Sequence, residues 1–301
     1  MTRDISIILA VLLATGLACA WPGCSGTGAS HNGDDDGSGS PDGGHDASVD
    51  TDTGTDTASG GCTEAAKNVY VVDSDTTLYR FDPPSKVFDP IGKIGCPSGG
   101  SPFSMAVARD GTAYVLFWDG MGACVALNKV STEDASCLGK TKFVCGAHGF
   151  NTFGMGFATD GPDTTEETLY IGKAENQPQL ASVDLDTFAL NIIGPISGAP
   201  EMTGNGAGEL WAFFAWETPS KVAQLDKASG AESNIVQIDQ LQGSAAFAFA
   251  FWGGDFYIFH APADNTTVWK LSNGVLTSYM ADTGTQIVGA GVSTCAPLKP
   301  E

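Results

Sequence analysis

The sequence predicts an all-β fold, a five-bladed β-propeller, and three observations carry that expectation. Segments rich in small and apolar residues open at 103 (FSMAV), 153 (FGMGF), 200 (PEMTG), 245 (AAFAF) and 287 (IVGAG), starts that lie 50, 47, 45 and 42 residues apart. A period of this length is the signature of a radial or solenoid repeat. Glycine makes up 39 of 301 residues and charged residues only 16%, against usual shares of about 7% and about 25%, which excludes a coiled coil or a helical bundle. Finally, the fifth repeat is split between the two ends of the chain, as a closed ring of blades requires.

The elements follow in order. Each of the first four opening segments leads into a turn: Asp110 and Gly111, Asp160 and Gly161, Gly206 and Gly208, Gly253 and Gly254. These residue types supply positive φ at little steric cost. Second strands are expected over residues 113–117, 168–171, 210–214 and 256–259. Hairpins of third and fourth strands are expected over 126–130 with 135–138, 181–185 with 188–193, 222–226 with 233–238, and 268–271 with 275–279. Residues 181–194 align on 126–139 without a gap. The last opening segment, 287–292, has no partner after it, whereas 69–72, 78–82 and 86–91 read as second, third and fourth strands with no first strand before them. Joined, they complete one sheet. Met105, Met155, Met202 and Phe247 are expected in one register of the inner strands, filling gaps between blades.

Ahead of the repeats stand two segments of different character. Residues 1–20 have a short polar start and an apolar run at 5–14, too short for a membrane span of about 20 residues but suited to a signal peptide. Residues 15–19 (TGLAC) resemble the bacterial lipobox, with Gly16 where the usual Leu stands. Lipidation is expected at Cys19, with Cys24 the alternative and cleavage to a secreted, soluble protein the third reading. Membrane attachment through acyl chains needs no spanning helix. Residues 21–61 form a Gly-, Ser-, Thr- and Asp-rich linker, with eight aspartates and no lysine or arginine over 25–61. Such a composition cannot offset its ordering entropy and reads as a disordered spacer. Asp50, Asp52 and Asp56 suggest a calcium loop, but their spacing departs from D-x-D-x-D-G and the terminal Glu is missing, so no cofactor is expected. The whole chain carries −21 at neutral pH; without the eight linker acids, and with Arg3 and Asp4 cancelling, the domain over 62–301 still carries −13. That balance argues against nucleic acid as a partner.

Six cysteines fall in the domain. Cys62 precedes the first strand and Cys295 follows the last, so a closed ring brings them together and predicts a bridge between them. Cys96, Cys124, Cys137 and Cys145 are expected on one face around the second chain-order sheet. The hairpin register sets Cys137 opposite Ala126, leaving Cys96–Cys137 with Cys124–Cys145, or Cys96–Cys145 with Cys124–Cys137, both open. No C-x₂-C spacing points to zinc.

Catalytic motifs are not evident: no G-x-S-x-G, HExxH or phosphate-binding glycine loop occurs in a strand-to-helix setting. Glu201 is the one carboxylate expected on the inner strands, at the channel mouth, among Ser104, Gly154, Ala246 and Val288. A single acid serves neither as acid and base together nor as a complete metal site. The loops joining second to third strands gather on one face and offer Asp73, Asp75, Trp118, Asp119, Lys173, Glu175, Trp216, Glu217, His260 and Asp264. Tryptophan beside carboxylate suits recognition, although Trp118 and Trp216 also suit capping of the blade cores. The expected function is a non-catalytic binding module for an envelope protein or glycan. The alternative is a propeller hydrolase or lactonase with a metal held near Glu201.

Residues 78–84 (LYRFDPP) and 181–187 (ASVDLDT) resemble the third-strand motif of the TolB, NHL and YVTN propeller superfamilies. Together with 101–107 (SPFSMAV), 134–137 (DASC) and 153–158 (FGMGFA), they are similar to segments of uncharacterised secreted lipoproteins of myxobacterial type. The likeness covers most of residues 62–296. It implies a propeller and export to the cell envelope, with an outer-membrane or periplasmic location, and it implies no activity.

Overall fold

The computed structural model describes residues 62–162, 164–173 and 177–300. The expected lipidation sites Cys19 and Cys24, the linker and Glu175 lie outside them. In chain order the strands are β1 (Val69–Asp73), β2 (Thr77–Asp82), β3 (Val87–Lys93), β4 (Ser101–Val107), β5 (Thr112–Trp118), β6 (Cys124–Ser131), β7 (Cys137–Lys140), β8 (Phe153–Thr159), β9 (Glu167–Lys173) and β10 (Gln179–Val183). They continue as β11 (Leu190–Pro195), β12 (Glu201–Gly204), β13 (Leu210–Phe214), β14 (Ser220–Leu225), β15 (Glu232–Ile238), β16 (Ala246–Trp252), β17 (Asp255–Ala261), β18 (Thr267–Ser272), β19 (Val275–Met280) and β20 (Ile287–Val292). Short 3₁₀ turns at Ala65–Lys67 and Ala147–Gly149 are the helical elements among the described residues.

The strands form five four-stranded antiparallel sheets. Four are consecutive, β4 to β7, β8 to β11, β12 to β15 and β16 to β19, and are called here the first to fourth blades. The fifth has the order β20-β1-β2-β3, with Val69 opposite Val292 and Val71 opposite Ala290. The chain is thus a five-bladed β-propeller whose last blade is closed by strands from both ends of the domain.

Five apolar clusters hold the ring together, and each lies between two neighbouring blades. Phe153, Met155 and Phe157 of the second blade meet Leu116 and Leu127 of the first, and Phe249 and Ile258 of the fourth meet Phe213 and Val222 of the third. A sheet covered on both faces needs no alternation of apolar and polar residues, and β1 and β8 are accordingly buried at every position. The outermost strands, such as β19, face solvent and carry exposed polar residues. On the innermost strands the blades approach backbone to backbone. A Cβ on Gly204 would lie 2.2 Å from the Phe157 carbonyl oxygen, and one on Gly154 would lie 2.0 Å from that of Pro200.

Four of the third-to-fourth-strand hairpins use one turn. The amide of Lys86 donates to the Asp82 carbonyl at 2.9 Å, that of Ala135 to Ser131 at 3.0 Å, that of Phe188 to Asp184 at 2.7 Å and that of Gly230 to Asp226 at 2.8 Å. Each donor residue has a left-handed φ, from 59° at Phe188 to 77° at Gly230. This turn corrects the expected boundaries: Lys86, Ala135 and Phe188 belong to it, and the fourth strands begin one or two residues later. The register is corrected too, since Cys137 lies opposite Val130 and not Ala126. Of the residues expected in one inner register, Met105, Met155 and Met202 are buried, whereas Phe247 is only half-buried and stands at the tunnel mouth.

Three disulfides brace the ring. Cys62–Cys295 closes it across a sequence separation of 233 residues. Cys96–Cys137 and Cys124–Cys145 are the other two, one of the two pairings left open by the sequence. The four cysteines do not share a face: Cys124 and Cys145 tie two loops at the end of the ring where the blades connect, whereas Cys137 begins β7 beside the turn at the other end of its hairpin. Near the closing bridge, Arg109 N and Thr294 Oγ1 donate to the two Glu167 carboxylate oxygens at 2.6 and 2.8 Å, linking the first, second and fifth blades.

Candidate functional site: the aromatic mouth of the tunnel

The loops joining second to third strands and the connections between blades share one end of the ring, called the upper end. There one buried hydrogen bond joins two of the inner strands. Glu201, at the start of β12 in the third blade, accepts from Ser104 Oγ of the first blade at 2.9 Å. The two blades are not neighbours, so the bond spans the axis, past Gly154 of the blade between them. The absence of a side chain at Gly154 leaves room for it. Glu201 is 2% exposed, and burial pushes its carboxyl well above the ordinary range, with the Ser104 hydrogen bond opposing weakly. It is therefore protonated over a range of pH in which a surface glutamate is ionised.

Above the bond lies a cleft of about 20 Å³, lined by Phe103, Phe153, Pro200, Trp216 and Phe247 with Glu201 among its walls. Phe103 is the extra residue of a β-bulge between Pro102 and Ser104, the device by which a strand re-aims a side chain near its end. Its ring meets Trp118 edge-on at 5.2 Å. Trp216 meets Phe247 edge-on at 5.3 Å and remains 58% exposed. Two further apolar side chains stand out on upper loops: Met121, 88% exposed, and Val144, 68% exposed. The Cys124–Cys145 bridge joins their two loops.

The residues that the sequence pointed to divide into distinct roles. Trp216 and Glu201 meet at the cleft, and Trp118 supports it through Phe103. Asp73 is 2% exposed and acts as an internal clamp: its carboxylate accepts from Thr77 N at 2.8 Å, Tyr79 Oη at 2.9 Å and Thr285 Oγ1 at 3.1 Å. Lys173 is buried and donates to the His148 carbonyl at 2.9 Å. His260 is 5% exposed, and burial lowers its pKa, so it is neutral in the fold; its Nε2 has no hydrogen-bond partner. Asp119 is exposed but clasps its own turn through the amides of Met121 at 2.7 Å and Ala123 at 3.0 Å, which lowers its pKa. Glu217 lies beside Gly198, and Asp264 is exposed, away from the cleft lining. The sequence reading missed Phe103, Phe153, Pro200 and Phe247. A signal for three of them was present, since Phe103, Phe153 and Pro200 are the first residues of their repeat segments and so fall at the rim.

Among the described residues, no three His, Cys, Asp or Glu side chains are grouped to hold a metal ion. A wider hollow of about 490 Å³ lies at the seam of the fifth and first blades beside Glu64, Tyr70 and Glu133, but its guanidinium, Arg80, already pairs with Asp89 at 2.7 Å.

The buried acid gives a stability signature. A carboxyl whose pKa is raised by folding favours the native state most below its unfolded value, near 4.5, and that advantage is lost as pH rises through the folded value. Glu201→Gln keeps the shape and the Ser104 contact without the ionisable proton. The variant is expected to melt above the parent at pH 7 and together with it near pH 4, in thermal melts followed by circular dichroism.

Fold and mouth together define a five-bladed propeller with a small aromatic cleft above a buried serine–glutamate hydrogen bond. No protein-family model matches the chain, and no curated protein matches it in sequence. Solved structures similar to it include a protein of unknown function from Bacteroides caccae, at 13% identity and TM-score 0.47, covering 74% of this chain and 97% of that one. A nidogen/laminin complex gives 12% identity and TM-score 0.46, with 74% and 97% covered. TolB from Acinetobacter baumannii gives 11% identity and TM-score 0.44, with 71% of this chain and 52% of that one covered. These likenesses are distant, and the ring of five sheets stands on the hydrogen bonding described above.

Proposed function

We propose that this protein is an exported bacterial lipoprotein, of the myxobacterial type that its sequence resembles, whose propeller is a non-catalytic module binding an envelope protein or glycan at the upper face. The observation that carries the reading is Trp216: a large aromatic ring, 58% exposed, set at the rim of a cleft with a buried acid in its wall. Exposed aromatic anchors beside a small pocket concentrate binding energy. Attachment at Cys19, or Cys24, on the outer membrane is in keeping with the geometry. Residue 62 joins the ring beside Cys295, at the end opposite Trp216. Among the described residues, no helix is long and apolar enough to cross a membrane. The catalytic alternative is not favoured by any contact, since the hydrogen-bond partner of Glu201 is a serine and not a second acid.

The test is capture of isolated envelope material on the immobilised protein. Trp216→Ala is expected to weaken capture about tenfold, the effect of losing roughly 1.4 kcal/mol, while the melting temperature stays within about 1–2 °C because the side chain is largely outside the core. Unchanged capture would refute the reading.

A further inference from the structure

The size and lining of the mouth cleft specify what enters it. The cleft is small, about 20 Å³, with room at its floor for one group the size of a water molecule, such as an ammonium or methyl head. The walls include Phe103, Phe153, Trp216 and Phe247, with Thr152 and Pro200 beside them. Aromatic faces attract cations, most strongly where water is excluded. Among these apolar walls stands Glu201, whose hydrogen-bond partner is Ser104. An arriving ammonium draws the Glu201 carboxyl to its ionised form, the proton leaving to solvent, and the pair makes the charge-assisted hydrogen bond that neither a methyl group nor a hydroxyl makes. The charge of −13 over residues 62–301 draws cations and repels anions on approach. A planar guanidinium carries five N–H donors, and the cleft supplies a single acid.

We propose that the cleft is a lysine receptor: it takes the ε-ammonium of a lysine side chain on a partner protein, with the ammonium against Glu201 and the methylene stem lying along Trp216 and Phe247. The stem of lysine covers apolar surface readily while its head stays polar. This inference rests on the upper face being the contact surface, and it narrows the partner to a protein that presents an exposed lysine.

The experiment uses Nα-acetyl-lysine N-methylamide as the probe and follows the Trp216 indole N–H resonance, assigned with a Trp216→Phe variant. The expected result is saturable binding at millimolar concentration. Binding should weaken at least tenfold in Glu201→Gln and severalfold in Phe247→Leu, which keeps an apolar side chain and guards against loss of folding in either variant. The Nα,Nε-diacetyl form, which lacks the charge, should leave the resonance in place. Equal binding of the diacetyl form with no effect of Glu201→Gln would overturn the ammonium assignment, leaving an apolar anchor site and the binding face intact. Equal binding of alanine N-methylamide would overturn the choice of lysine in favour of a chain amino terminus. Silence of the resonance toward every probe would overturn the receptor; with capture of envelope material also insensitive to Trp216→Ala, the binding face itself would fall.

Discussion

Replacing both residues of the closing bridge, Cys62→Ser with Cys295→Ser, is expected to lower the melting temperature by roughly 10–20 °C. The bridge spans 233 residues of sequence, and cross-linking so long a loop removes unfolded-state entropy equivalent to about 5 kcal/mol. For a domain of this size each kcal/mol corresponds to about 2–4 °C. Removing Cys124–Cys145, with a separation of 21, should cost about 3 kcal/mol by the same argument. The ring should nevertheless remain closed at low temperature, because β1 still pairs with β20 and Ser293 Oγ still donates to the Ala66 carbonyl. Melting of the double variant beside the parent, each with and without reductant, checks the order. Equal losses from the two bridges would show that chain entropy is not what the closing bond supplies.

Gly154→Ala is expected to be among the most damaging single methyl groups in the domain, with a loss of about 3 kcal/mol, the upper end of what overpacking causes. The added Cβ would stand 2.0 Å from the Pro200 carbonyl oxygen and 2.9 Å from Glu201 Cα. Both obstacles are backbone, so no side chain can turn aside; the second and third blades must part. Parting them also disturbs the bond from Ser104 to Glu201 that passes this point. Gly161→Ala is the control, since its Cβ would meet nothing nearer than Thr164 Cγ2 at 3.8 Å. Denaturant unfolding of the two variants should therefore separate widely, and similar midpoints would show that the inner strands have slack.

Much of the architecture was legible because it depends on repetition and on small residues. Glycine and alanine at fixed intervals mark strands that crowd an axis, and a unit divided between the chain ends marks closure. What escaped the reading depends on single dihedral angles and on side-chain direction. Lys86, Ala135 and Phe188 carry nothing in their chemistry that announces a left-handed turn, yet each adopts one, and the strands after them shift accordingly. Asp73 and His260 stand at strand ends where the pattern offers an upper loop, and both are buried, the first against three hydrogen-bond donors and the second with its Nε2 unpartnered. The rim residues were hidden for a different cause. Phe103 lines the cleft through a bulge, and Phe247 lies at the start of a strand that Gly253 and Gly254 end with a tight turn. Neither shift leaves a mark on apolar periodicity.

The bond between Cys62 and Cys295 has a mechanical meaning as well. Tension applied to the chain on either side of the domain passes from one sulfur to the other, so the load bypasses the five sheets instead of peeling β20 from β1.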